Sequence, residues 1–70
     1  MTHLIVIEKT ETGYSAYWPD LPGCVSTGIS QEETERDMND AIEFHIDCLR
    51  AEGYPVPVPA ARSAYVEVAA

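Results

Sequence analysis

Two histidines and two cysteines carry the most reactive side chains in this sequence, and their spacing decides what they can do. His3, Cys24, His45 and Cys48 are the right types for a tetrahedral zinc site, but none of their separations reproduces a recognised ligand spacing. No metal and no other cofactor is expected. The two thiols belong to no C-x-x-C pair and are too few for a disulfide framework, so both are expected to be reduced and buried as small hydrophobes. His45 as a general base would need a partner to take or orient a proton. None is visible, and the residue falls on an apolar helical stripe, where packing explains it. Trp18 beside Tyr14 and Tyr17 has the composition of a base-stacking platform. Such platforms run along a cationic groove, and with no Lys or Arg close by the aromatic group points to packing against protein.

With no reactive cluster, the elements themselves must carry the function. Seventy residues set a ceiling of one domain, 1–70, near the size at which a core is marginal. An apolar content of 46 % is too high for a disordered segment. Lys9, Asp20, Pro22 and the charged middle of the chain interrupt every run long enough to span a bilayer, and Met1-Thr2-His3-Leu4 does not open a secretory signal. A cytoplasmic protein is expected, without a membrane role. The net charge of −8 is opposite to that of a protein that neutralises phosphates. Direct nucleic-acid binding is therefore not expected, whereas a dense negative field steers basic partners and also keeps a small domain soluble.

The β-branched run Leu4-Ile5-Val6-Ile7 and the segment Tyr14-Ser15-Ala16-Tyr17-Trp18 flank Glu11-Thr12-Gly13 and predict a hairpin, with Gly13 at a position that commonly needs positive φ. Pro19-Asp20-Leu21-Pro22-Gly23 then ends the second strand in a compact loop, and Cys24–Gly28 forms a third. Ser30-Gln31-Glu32-Glu33 has the form of a capping box. From it runs a helix of about 20 residues with Thr34, Met38, Ala41, Ile42, His45 and Leu49 on one stripe. Gly53 is its expected C′ residue, and Pro55 forbids continuation. Prolines at 55, 57 and 59 return the chain in an extended form, and the alternation of Ser63–Val68 predicts a fourth strand.

The fold class that follows is α+β, a two-layer β-β-β-α-β unit with one long helix on a four-stranded mixed sheet of order 3-2-1-4, reached by a right-handed crossover. One helix covers one face, and the first strand is apolar on both. Ile5 and Ile7, extended by Tyr17 and Tyr65, are the candidate uncovered face, and a homo-oligomer, dimer or higher, is expected.

Residues 14–24, YSAYWPDLPGC, followed by Thr27-Gly28-Ile29-Ser30, Glu32-Glu33, Ala41-Ile42-Glu43-Phe44-His45, and then Gly53, Pro57 and Pro59, resemble the N-terminal domain of HicB-type antitoxins. These separated blocks stand in the family's order and cover most of the chain. The resemblance implies a degenerate RNase H-like fold that binds and masks a HicA-like toxin, a small basic RNA-cleaving protein. In the family a separate C-terminal segment binds DNA. This sequence ends soon after the expected fourth strand, so direct DNA contact is not expected of it.

An RNase H-like fold raises the possibility of two-metal phosphodiester cleavage. Glu8, Glu43 and Glu67 are the trio available, but Glu43 projects away from the stripe at Thr34, Met38 and His45, so no enzyme activity is expected. The candidate partner-binding residues are Asp20, in the loop, and Asp37, Asp40, Glu43 and Asp47 on the helix. Gln31–Glu52 holds eight Asp or Glu against two Arg, a net of −6 out of the −8 of the chain. The alternative to an antitoxin-like module is a stand-alone oligomeric domain that binds a small molecule or an unrelated protein.

Overall fold

The computed structural model describes residues 2–69. Three antiparallel strands, β1 (Val6–Lys9), β2 (Tyr14–Tyr17) and β3 (Val25–Gly28), form a meander of order β1-β2-β3, and one helix, α1 (Gln31–Ala51), packs on it. The β1–β2 turn is tight: Thr10 N–H donates to Gly13 O at 2.8 Å, and Gly13 N–H donates to Thr10 Oγ1 at 3.1 Å. Gly13 does not have the positive φ expected of it. Its lack of a side chain is needed for another reason, since a Cβ there would collide with the Gly28 carbonyl of β3.

The β2–β3 loop is two successive turns. Leu21 N–H donates to Trp18 O at 3.1 Å and Cys24 N–H to Leu21 O at 3.4 Å. In the second turn Pro22 and Gly23 are the corner residues, and Gly23 has φ +89°, the Pro-then-Gly form of a type II turn. The P-D-L-P-G string thus encodes backbone geometry.

The helix forms as its caps dictate. Glu33 N–H donates to Ser30 Oγ at 3.1 Å, while the Glu33 carboxylate accepts from Ile29 N–H at 3.3 Å, one residue earlier than a standard capping box. At the other end Gly53, at φ +76°, donates to Arg50 O at 3.1 Å, and Tyr54 N–H reaches Leu49 O at 2.9 Å. These two bonds are a Schellman motif.

Ala16, Trp18, Cys24, Met38 and Ile42 form the core, with Ile5, Ile7, Leu21, Ala41 and Ile46 packed round it. Thr34 is fully buried among them, and its hydroxyl donates to Ser30 O at 2.8 Å. The helix lies mainly over β3, less over β2 and least over β1. Its close approach to β3 depends on Gly28, where a Cβ would stand 2.6 Å from Thr34 Oγ1 and 3.1 Å from Thr34 N. Gly28→Ala is therefore expected to destabilise by about 1–3 kcal/mol through overpacking. A urea midpoint unchanged from that of the parent chain would refute this contact.

The fourth strand expected over Ser63–Val68 is not formed within the single chain, and residues 54–69 contain neither helix nor strand. A strand requires a partner ladder, and in the approach Pro55, Pro57 and Pro59 remove every second N–H, while those of Ala60 and Ala61 are taken by Asp20.

Candidate functional site

Strand register decides which apolar residues are covered. Val6 pairs with Tyr17 and Ile7 with Ala16 across β1–β2, and Tyr17 pairs with Val25 and Ala16 with Ser26 across β2–β3. Residues opposite one another share a face, so Ile7 lies on the side of buried Ala16, beneath the helix. Ile5 and Ile7 are thus part of the covered face, which corrects their assignment to the uncovered one. The open face carries the row Val6–Tyr17–Val25, with Leu4 beside it by alternation. Tyr17 is 42 % and Val25 65 % exposed. Leu4, Val6 and Val25 were missed because period-2 patterning shows that two faces exist and not which one the helix takes. A two-residue turn at Glu11-Thr12 would have fixed the pairing.

The second surface is a groove of about 1040 Å³ between the helix flank and the N-terminal strand, with Ile5, Ile42, Ile46 and Val56 on its apolar part. It exists because the helix diverges from β1. Its rim is mostly acidic, with Glu32, Glu35, Glu43 and Asp47 against Arg36 and Arg50. Glu43 and Asp47 line the groove and Asp37 and Asp40 do not, although steps of three and seven residues keep Asp40 on the same helix flank as Glu43 and Asp47. All four are exposed. Asp20 is half-buried and occupied by its own chain, since its carboxylate accepts from Ala60 N–H at 3.3 Å and from Ala61 N–H at 3.1 Å. Tyr65 projects fully into solvent.

Glu8, Glu43 and Glu67 are exposed. Among the described residues no three His, Cys, Asp or Glu side chains gather at metal-binding distance, and no helix is long and apolar enough to cross a membrane.

One polar pair is partly enclosed. Cys24 Sγ lies 3.6 Å from His45 Nδ1, which resembles an activated thiol. The same nitrogen is 2.8 Å from Ala41 O, and a carbonyl only accepts, so Nδ1 carries the hydrogen and offers the thiol no acceptor. Burial also pushes the Cys24 thiol above its ordinary value, the opposite of nucleophile activation. Cys48, expected to be buried, is exposed, because it stands on the flank of α1 away from the core stripe. In the native protein Cys48 is expected to react with an aromatic disulfide reagent at once and Cys24 only after denaturation. Equal rates for both would contradict this burial.

Comparison with known proteins places these surfaces in context. Residues 3–69 match the model of a family described as the HicB_like antitoxin of bacterial toxin-antitoxin systems. A UPF0150 protein of Helicobacter pylori is 51 % identical over 47 residues, 67 % of this chain and 65 % of that protein. A second UPF0150 protein, from Synechocystis, is 41 % identical over 79 % of this chain and 71 % of its own. An uncharacterised 14.9 kDa protein of Haemophilus phage HP1 is 37 % identical, and there the chain spans only 43 % of the relative. Among solved structures, a chain of a HicA3 and HicB3 toxin-antitoxin complex superposes with a TM-score of 0.65 at 32 % identity, covering 84 % of this chain and 72 % of that one.

Proposed function

The chain belongs to the HicB-like antitoxin family of bacterial toxin-antitoxin systems, and from that premise we propose that it binds and masks a small basic RNA-cleaving toxin of the HicA type. The observation that carries this reading is the likeness, at 32 % identity, to a chain of a toxin-antitoxin complex. The charge distribution supports it, since most of the −8 lies on one exposed helix, where it attracts a basic protein.

In this reading the module is a cytoplasmic, non-enzymatic binder. It acts by occluding the toxin and makes no direct contact with nucleic acid. Asp37, Asp40, Glu43 and Asp47 supply long-range attraction, and Asp20 serves the fold. Copies associate through Leu4, Val6, Tyr17 and Val25, an apolar row that a second copy can cover. The four-stranded, RNase H-like order 3-2-1-4 belongs to the associated form.

The test mixes the purified chain with a HicA-type toxin, following complex formation by calorimetry and RNA cleavage by gel. Stoichiometric binding that suppresses cleavage is expected. Heatless mixing at tens of micromolar with cleavage undiminished would reject the antitoxin reading and favour a stand-alone binding domain.

A further inference from the structure

The chain holds an unpaired strand edge and, over Ser63–Val68, an unpaired segment of alternating pattern. β1 has a neighbour on one side only. Because Thr10 N–H bonds Gly13 O, alternation along an antiparallel ladder turns the backbone groups of Val6 and Glu8 towards β2 and those of Ile5, Ile7 and Lys9 to the open side. Beside that edge lies the groove with Ile5, Ile42 and Ile46 on its apolar part. Residues 62–69 are exposed throughout, with Tyr65 at 105 %, Val66 at 80 % and Val68 at 75 %. The described residues extend 49 Å along one axis against 26 and 18 Å along the others.

The two features fit each other. In an extended Ser63–Val68, the residues Ala64, Val66 and Val68 share one side, and Ser63, Tyr65 and Glu67 share the other. With the first set over Ile42 and Ile46, Tyr65 falls on the open face and prolongs the row Val6–Tyr17–Val25.

Closure within one chain is opposed by a tether. Asp20, in the loop joining β2 to β3, holds Ala60 and Ala61 by their amides. From that loop to the slot outside β1 is two and a half strand spacings, roughly 12 Å. The two steps from Ala61 to Ser63 span at most about 7 Å, so reaching that slot would require the chain and the Asp20–Ala61 link to be fully extended in the same direction. A second copy has no such constraint.

We propose that residues Ser63–Val68 of one copy add as a fourth strand to the open β1 edge of a second copy, and reciprocally, so that neither groove is filled without its partner. This deepens the self-association reading, and the two can fail separately. The addition is β-augmentation, in which backbone hydrogen bonds supply attraction and alternate side chains supply register. Asp20 acts as a positioning residue that holds the arm out.

The experiment uses the full chain with Cys48→Ser as background. One variant carries Glu8→Cys and a second carries either Tyr65→Cys or Glu67→Cys, all exposed sites on the open face. A mild oxidant is expected to give a disulfide-linked dimer from the mixture and not from either variant alone. In a chain carrying both substitutions, the link should still join two chains. A link confined to single chains would show pairing in cis and overturn the exchange, as would a mixture that never cross-links. Light scattering on the parent chain separates the readings: a dimer without the mixed link keeps association through the outer row and removes the exchanged strand, and a monomer removes both.

Discussion

Replacing Trp18 with alanine is expected to unfold most of the protein, whereas replacing it with phenylalanine should cost little. Trp18 is 1 % exposed and sits with Ala16, Cys24 and Met38 in the only core cluster among the described residues. Truncating a buried aromatic to alanine costs about 3–5 kcal/mol. A domain of this size has a total stability on the order of 4–10 kcal/mol, so the loss consumes a large share of it. Phenylalanine behaves differently because the Trp18 Nε1 donor is buried with no acceptor among the described residues. His3 approaches the indole edge-on at a centroid distance of 4.7 Å, and its own ring nitrogens are likewise unpartnered. An orphaned donor costs about 1–3 kcal/mol, and its removal offsets much of the smaller cavity that phenylalanine leaves. Urea unfolding followed by far-ultraviolet circular dichroism reports both variants without the tryptophan signal. Equal losses for Trp18→Phe and Trp18→Ala would mean that the indole N–H is satisfied and the offset absent.

Neutralising the helix carboxylates should have the second large effect, on association kinetics with a basic toxin. With Asp37, Asp40, Glu43 and Asp47 changed to amides, the on-rate at low salt is expected to fall by about tenfold or more, with the off-rate changed less. The parent on-rate should itself drop steeply as salt shortens the screening length to about 8 Å near physiological ionic strength. The structure refines the experiment, because Glu43 and Asp47 border the groove and Asp37 and Asp40 do not line it. Changing the pairs separately reports whether the partner approaches over the groove. Stopped-flow measurements that find a salt-independent on-rate would end the steering reading and leave the charge as a solubility device.

Local signals in the sequence were read successfully at both ends of α1 and in the loop between β2 and β3. Ser30 caps α1, Gly53 ends it, and the Pro22-Gly23 corner closes the loop between β2 and β3, since each depends on backbone preferences over a few residues. Gly13 was recognised as special for the wrong reason: its constraint is the Gly28 carbonyl, fifteen positions away. Thr34, Met38 and Ile42 were placed on the buried stripe, and Cys48, expected to be buried, is exposed.

By itself the sequence determined the order of three strands and a helix, the concentration of negative charge on that helix, and the resemblance that the family match makes secure. Tertiary structure alone decided that Ile5 and Ile7 lie beneath the helix, that Val6, Tyr17 and Val25 form the open row, and that Asp20 holds Ala60 and Ala61. The division has one physical cause. Caps, turns and periodicity are short-range and are written into neighbouring residues. The choice between two apolar faces of a strand turns on a register set by one turn and on where a distant helix comes to rest, because a shift of one residue exchanges the faces.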